Sequence, residues 1–234
     1  MNLVSNIVTA LLRIGVPVVF LSAQPRSQAQ LFATSGSLNQ SIPDGDLAGM
    51  THSLTINTQP GTAVVDLTVS LHITGELIGD LYGQLFHDGH LAVLLNRIGR
   101  TSIDPVGYDD PEINVDLKDS ASQGDIHSYR LILSGDPNAR LNGTLTGTWA
   151  PDGRNVNPTA VLDTSARTAT LSSFIGSNAG GTWTLFLADV DPGSENKLVD
   201  WGLEIAVVPE PVEAGILAAL GCVAVMLLHR KSKT

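Results

Sequence analysis

Val65-Asp66-Leu67-Thr68-Val69-Ser70-Leu71-His72-Ile73-Thr74 decides the fold. From Leu67 onward every second residue is apolar and every residue between is polar, the signature of a strand with one face buried and one wet. The same period recurs in Ser53-Leu54-Thr55-Ile56-Asn57, in Tyr82-Gly83-Gln84-Leu85-Phe86 and in Trp183-Thr184-Leu185-Phe186-Leu187. Each run is bounded by Gly, Pro, Asp or Asn, residues that punctuate strands with turns. No helical stretch or fixed-period repeat stands out between them. The pattern predicts an all-β protein, an antiparallel β-sandwich of short strands. The stretches Ser102–Ser122 and Pro137–Ala166 are expected to be long loops.

Composition fits this class. The 234 residues suffice for one sizeable domain plus targeting segments. Charged residues are 15%, below the roughly 25% of an average soluble domain. Of 13 basic residues, Arg13, Arg26, Arg230, Lys231 and Lys233 lie in the terminal segments, as do two of 23 acids, Glu210 and Glu213. That leaves 8 basic against 21 acidic residues in the middle, a net charge of −13. Such a domain repels a phosphate backbone, so no nucleic-acid partner is expected. The single cysteine, Cys222, sits in the C-terminal apolar run, which excludes a disulfide framework or a cysteine nucleophile in the domain.

The ends read as targeting segments. Arg13 followed by apolar Ile14–Leu21 and a Ser27-x-Ala29 pattern forms a secretory signal peptide over residues 1–29. At the other end, Val208, Pro209, Glu210 and Pro211 precede Ala214–Leu228, 15 residues without a charge, and the basic cluster Arg230, Lys231 and Lys233. As a helix this run reaches about 22 Å, short of a hydrocarbon core of about 30 Å. The prolines isolate it from the preceding strand, and the basic end stays cytoplasmic. The expected reading is a single transmembrane helix over residues 214–228 within a tail of residues 208–234.

This tail resembles the PEP-CTERM sorting signal of Gram-negative bacteria. The resemblance implies an exosortase-type sorting enzyme as partner. It also implies transient inner-membrane anchoring, followed by release to the outer surface, the medium or the extracellular matrix.

Between the ends lies the expected domain, residues 30–207, which carries a second resemblance over about residues 40–206. Ile42-Pro43-Asp44, Ile78-Gly79-Asp80-Leu81, Leu94-Leu95-Asn96-Arg97 and Tyr108-Asp109-Asp110 occur in that order. Pro151-Asp152-Gly153-Arg154, Gly181-Thr182-Trp183-Thr184-Leu185 and Trp201-Gly202-Leu203 follow. The set is similar to the P domain (Homo B domain) that follows the catalytic domain of kexin-like proprotein convertases and many bacterial secreted proteases. It implies a jelly-roll, galactose-binding-like sandwich, and it strengthens the case for structural calcium. Where that family has a Ser-Pro-x-Gly turn, this chain has His87-Asp88-Gly89-His90.

For chemistry, no Gly-x-Ser-x-Gly, His-Glu-x-x-His or Gly-x-x-x-x-Gly-Lys occurs, so no enzyme is expected. His87-Asp88-Gly89-His90 offers two imidazoles, but Asp-Gly between strands is first a hairpin turn, and zinc needs further ligands. Asp189-x-Asp191-x-Gly193, with Asp80 and the adjacent Asp109 and Asp110, supplies hard oxygens suited to structural Ca2+. Trp183 and Trp201 fall on apolar strand positions and read as core. Trp149, beside Ala150-Pro151-Asp152-Gly153, is the candidate surface aromatic for a sugar. The functional expectation is a non-enzymatic exported module for adhesion or matrix interaction. The alternatives are an exopolysaccharide-binding module and an accessory domain to a secreted protease.

Overall fold

The computed structural model describes residues 28–208. The expected signal peptide up to Ser27, Pro209, Glu210, Pro211, the apolar segment 214–228 and the basic residues Arg230, Lys231 and Lys233 lie outside the described residues. Among the described residues no helix is long and apolar enough to cross a membrane.

The chain forms a two-sheet β-sandwich. Its strands are β1 (Ala29–Thr34), β2 (Gln40–Ile42), β3 (Asp46–Ile56), β4 (Ala63–Thr74), β5 (Leu81–His87), β6 (His90–Asn96), β7 (Glu112–Leu117), β8 (Leu145–Trp149), β9 (Gly181–Asp189) and β10 (Asn196–Val208). One sheet runs β1-β10-β4-β7-β8, with β2 also on β10; the other runs β3-β9-β5-β6. The decisive stretch is β4, and its alternation is realised: Leu67, Val69, Leu71 and Ile73 are buried while Thr68, Ser70 and His72 face outward. Opposite them, Leu54 and Ile56 of β3 and Trp183, Leu185 and Leu187 of β9 fill the space between the sheets. Ala29 and Val208 both pair in the ladder, each one residue outside the bounds expected for the domain.

The Asp88-Gly89 turn joins β5 to β6 as a hairpin in which His87 opposes His90. Asp88 (φ 48°) and Gly89 (φ 77°) both take positive φ, the geometry that matches hairpin twist.

Three expectations need correction. The stretches predicted as loops contain β7 and β8, whose runs are too short for periodicity to separate from their surroundings. A helix does occur, α1 (Tyr129–Ser134). And the sandwich is not wholly antiparallel, because β8 runs parallel to β7. A parallel neighbour needs a long crossover, and the chain between Leu117 and Leu145, carrying α1, provides it.

Trp149 closes β8 on its buried side. It is 0% exposed, its indole N–H donates to the Thr146 carbonyl at 3.0 Å, and its ring meets Tyr129 edge-on at 6.3 Å. The expectation of a surface tryptophan is thus wrong: parallel pairing with β7 turns this side chain into the core, out of a sugar's reach. Trp149→Ala should cost about 3–5 kcal/mol of stability, read as a lowered urea midpoint. A loss below about 1 kcal/mol would return Trp149 to the surface.

Candidate functional site

The acids singled out in the sequence fall into two separate places. Asp80 ends a 3-10 turn (Ile78–Asp80) just before β5, and Asp189 ends β9. The register puts Leu81 opposite Asp189, and the Val190 N–H donates to the Asp80 carbonyl at 2.9 Å. Asn196 opens β10 and donates through Nδ2 to Asp189 Oδ2 at 2.7 Å. Asp191 follows on the same connection. The sheet therefore gathers Asp80, Asp189, Asp191 and Asn196 at one end of the sandwich. Arg97 joins them, donating to Asp80 Oδ1 at 3.2 Å and to Asp191 Oδ2.

Asp109 and Asp110 belong elsewhere. Arg130 of α1 donates to Asp110 at 2.7 Å and to Asp109 at 2.6 Å, Tyr129 donates to Asp110, and Arg140 pairs with Asp109 at 3.2 Å. Burial works against ionisation of Asp109, but Arg130 and Arg140 outweigh it and hold the carboxyl below its ordinary range. This pair is satisfied by arginine and is not part of the first cluster. A third buried network, not foreseen in the sequence, joins His127 to Asp152 at 2.6 Å and Arg154 to Asp125 at 2.9 Å. Its clue was present in Pro151-Asp152-Gly153-Arg154, but the partner His127 is distant in sequence.

The first cluster is distinctive because it is under-neutralised. Burial is the main reason Asp80 is pushed up to about 6; Arg97 opposes this, while Asp189 and Asp191 add to it. Asp189 is likewise pushed up to about 6, by burial first and then by Asp44 and Asp191, against the Asn196 hydrogen bond. Oδ1 of Asp189 and Oδ1 of Asn196 are both buried without a hydrogen-bond partner. Buried acceptors ordinarily find donors, so two orphaned oxygens beside excess negative charge are what a hard cation satisfies. Among the described residues, no three His, Cys, Asp or Glu side chains already form a metal-ligand group. The donor chemistry nonetheless fits calcium, whose shell also takes amide and backbone oxygens.

His87 is engaged by the fold. The His87 ring stacks on Trp183 at 3.8 Å, and its two nitrogens face the carbonyls of Thr182 (2.9 Å) and Asn178 (2.6 Å). That imidazole serves the fold.

Asp80 and Asp189 hold their protons more tightly folded than unfolded. Their contribution to stability is therefore full below the ordinary value of 3.8, falls as pH rises through about 6, and is gone above it. In EDTA, Asp189→Asn should shrink the loss of stability between pH 4 and pH 7 relative to the wild type. Parallel pH curves for the two proteins would refute the assignment.

No protein-family model matches this chain, and no curated protein matches its sequence. Among solved structures, the serine protease of Aeromonas sobria in complex with the chaperone is similar over 79% of this chain and 28% of that chain, at 16% identity and a TM-score of 0.42. The serine protease of Aeromonas sobria alone is similar over 86% of this chain and 30% of that one, at 15% identity and a TM-score of 0.38. The chain thus spans less than a third of the length of either.

Proposed function

We propose that this chain is a non-enzymatic, exported module: a jelly-roll sandwich of P-domain type that works at the cell surface or in the extracellular matrix, braced by calcium. The observation that carries the reading is the use made of the histidines. His127 is bound to Asp152 and to the Arg100 carbonyl, His72 lies between Glu112 and Asp200, and His87 is held by two carbonyls. His52 accepts from the Trp201 indole N–H at 3.0 Å. The buried titratable groups hold loops to sheets. The order of sequence landmarks supports the P-domain reading, which also keeps open a role as accessory to a secreted protease.

Asp80, Asp189, Asp191 and Asn196 would hold the calcium. It would supply the positive charge that one arginine cannot, and oxygen coordination for the two orphaned acceptors. Export is read from residues 1–29. Sorting is read from Val208, Pro209, Glu210 and Pro211, with the apolar run 214–228 and Arg230, Lys231 and Lys233 engaging the membrane until an exosortase-type enzyme acts.

Two measurements test these parts separately. Saturating calcium should raise the melting temperature over EDTA by about 5–10 °C if the ion reaches a hundredfold excess over its dissociation constant. An unchanged melting temperature would end the calcium claim. Replacing Pro209, Glu210 and Pro211 together by Ala should leave uncleaved chain in the inner membrane, seen by fractionation and intact-mass spectrometry. Release of that variant at the wild-type rate would end the sorting claim.

A further inference from the structure

Outward-facing residues of β1, β10, β4 and β7 line up in rows across the six-stranded sheet. One row is Phe32, Glu204 and Thr68; the next is Thr34, Gly202, Ser70 and Asp116. Their chain neighbours Leu203, Ile205, Val69 and Val115 point into the core. Together the rows line a groove of about 360 Å3, within the size range of small-ligand sites.

Its floor is closely packed at Gly202, where no side chain would fit. A Cβ there would stand 2.8 Å from Ser70 Oγ and 2.9 Å from the Ala33 carbonyl. At its rim, Phe32 is 70% exposed, an aromatic ring offered to solvent. The charged side chains beside it divide sharply. Elsewhere on this face His72 is taken by Glu112 and Asp200, and Lys118 by Asp66 at 2.6 Å. Asp116 and Glu204, both in the groove, have no ion-pair partner among the described residues. Among the described residues no basic side chain lines the groove.

We infer that this groove is a binding site for a neutral saccharide. Free carboxylates accept strong hydrogen bonds from hydroxyl groups. The hydroxyls of Thr34, Thr68 and Ser70 both donate and accept. An exposed ring gives the apolar C–H face of a pyranose a surface to lie on. An anionic ligand is disfavoured by two unpaired carboxylates. The inference rests on the export reading only for access to a polysaccharide outside the cell. The groove can fail while export and sorting stand.

The test uses the full-length chain in mild detergent, titrated with neutral cello-, manno- and galacto-oligosaccharides and, in parallel, with a lysine-rich peptide. Phe32→Ala and Glu204→Gln alter exposed or half-exposed groups, and their melting temperatures check that both variants fold. At least one neutral series should bind, with affinity falling about tenfold or more in each variant, the scale of a lost aromatic anchor. Binding unaffected by both substitutions would overturn the site. So would the absence of binding to all three series, or Phe32-dependent binding of the peptide alone. None of these outcomes touches where the protein is exported.

Discussion

A carboxylate removed from water must be met by a cation and by donors, or the fold that buries it is strained. This sandwich buries Asp80, Asp110, Asp152 and Asp189. Two of them are met in full: Asp110 has Arg130 and Tyr129, and Asp152 has His127 and Arg154. Asp80 has Arg97, which it shares with Asp191. Each pairing ties an irregular connection to the sheets, and together they organise the stretches of the chain that are richest in loops. In a domain without cysteine, these ion pairs tie loops to sheets where no disulfide can. Removing one partner of such a pair costs far more than the pair contributes, because the survivor stays buried and charged.

Asp189 is the exception. Among the described residues its only side-chain hydrogen-bond partner is the amide of Asn196 and one of its oxygens meets no donor, while Asp80 and Asp191 crowd the same end of the sandwich. The strain shows as two carboxyls pushed up to about 6. A cation completes this arrangement in the way that arginine completes the other two. The proposed calcium thus follows from the same rule that governs the rest of the structure. The outer groove obeys the converse. There the unpaired carboxylates face water, where they cost little and remain free for a ligand.

Much of the sandwich was legible in the chain. Strand β4 and the middle of β9 declare themselves by alternation, and Asp88-Gly89 declares the hairpin. Strands β7 and β8 did not, because five or six residues among glycines and aspartates carry too little period to stand out. Trp149 misled for a related reason. Its neighbours Pro151-Asp152-Gly153 look like a surface turn, but Asp152 is itself buried, and the parallel pairing with β7 sends the indole inward. The acids misled as a group. Asp109 and Asp110 look interchangeable with Asp80 until Arg130 arrives from a short helix to claim them.

The all-β class, the half-buried strands and the acidity of the middle of the chain could be read from the amino-acid sequence, because alternation and net charge are properties of neighbouring residues and of sums. Only the tertiary structure decided which carboxylates share a site, which aromatic is exposed and where the sheet opens into a groove. Those outcomes depend on strands far apart in the chain lying side by side. Gly202 must be glycine because Ser70 and Ala33 crowd it from neighbouring strands, and Asp189 is under-neutralised because the charged groups brought near it, Asp44 and Asp191, are acids.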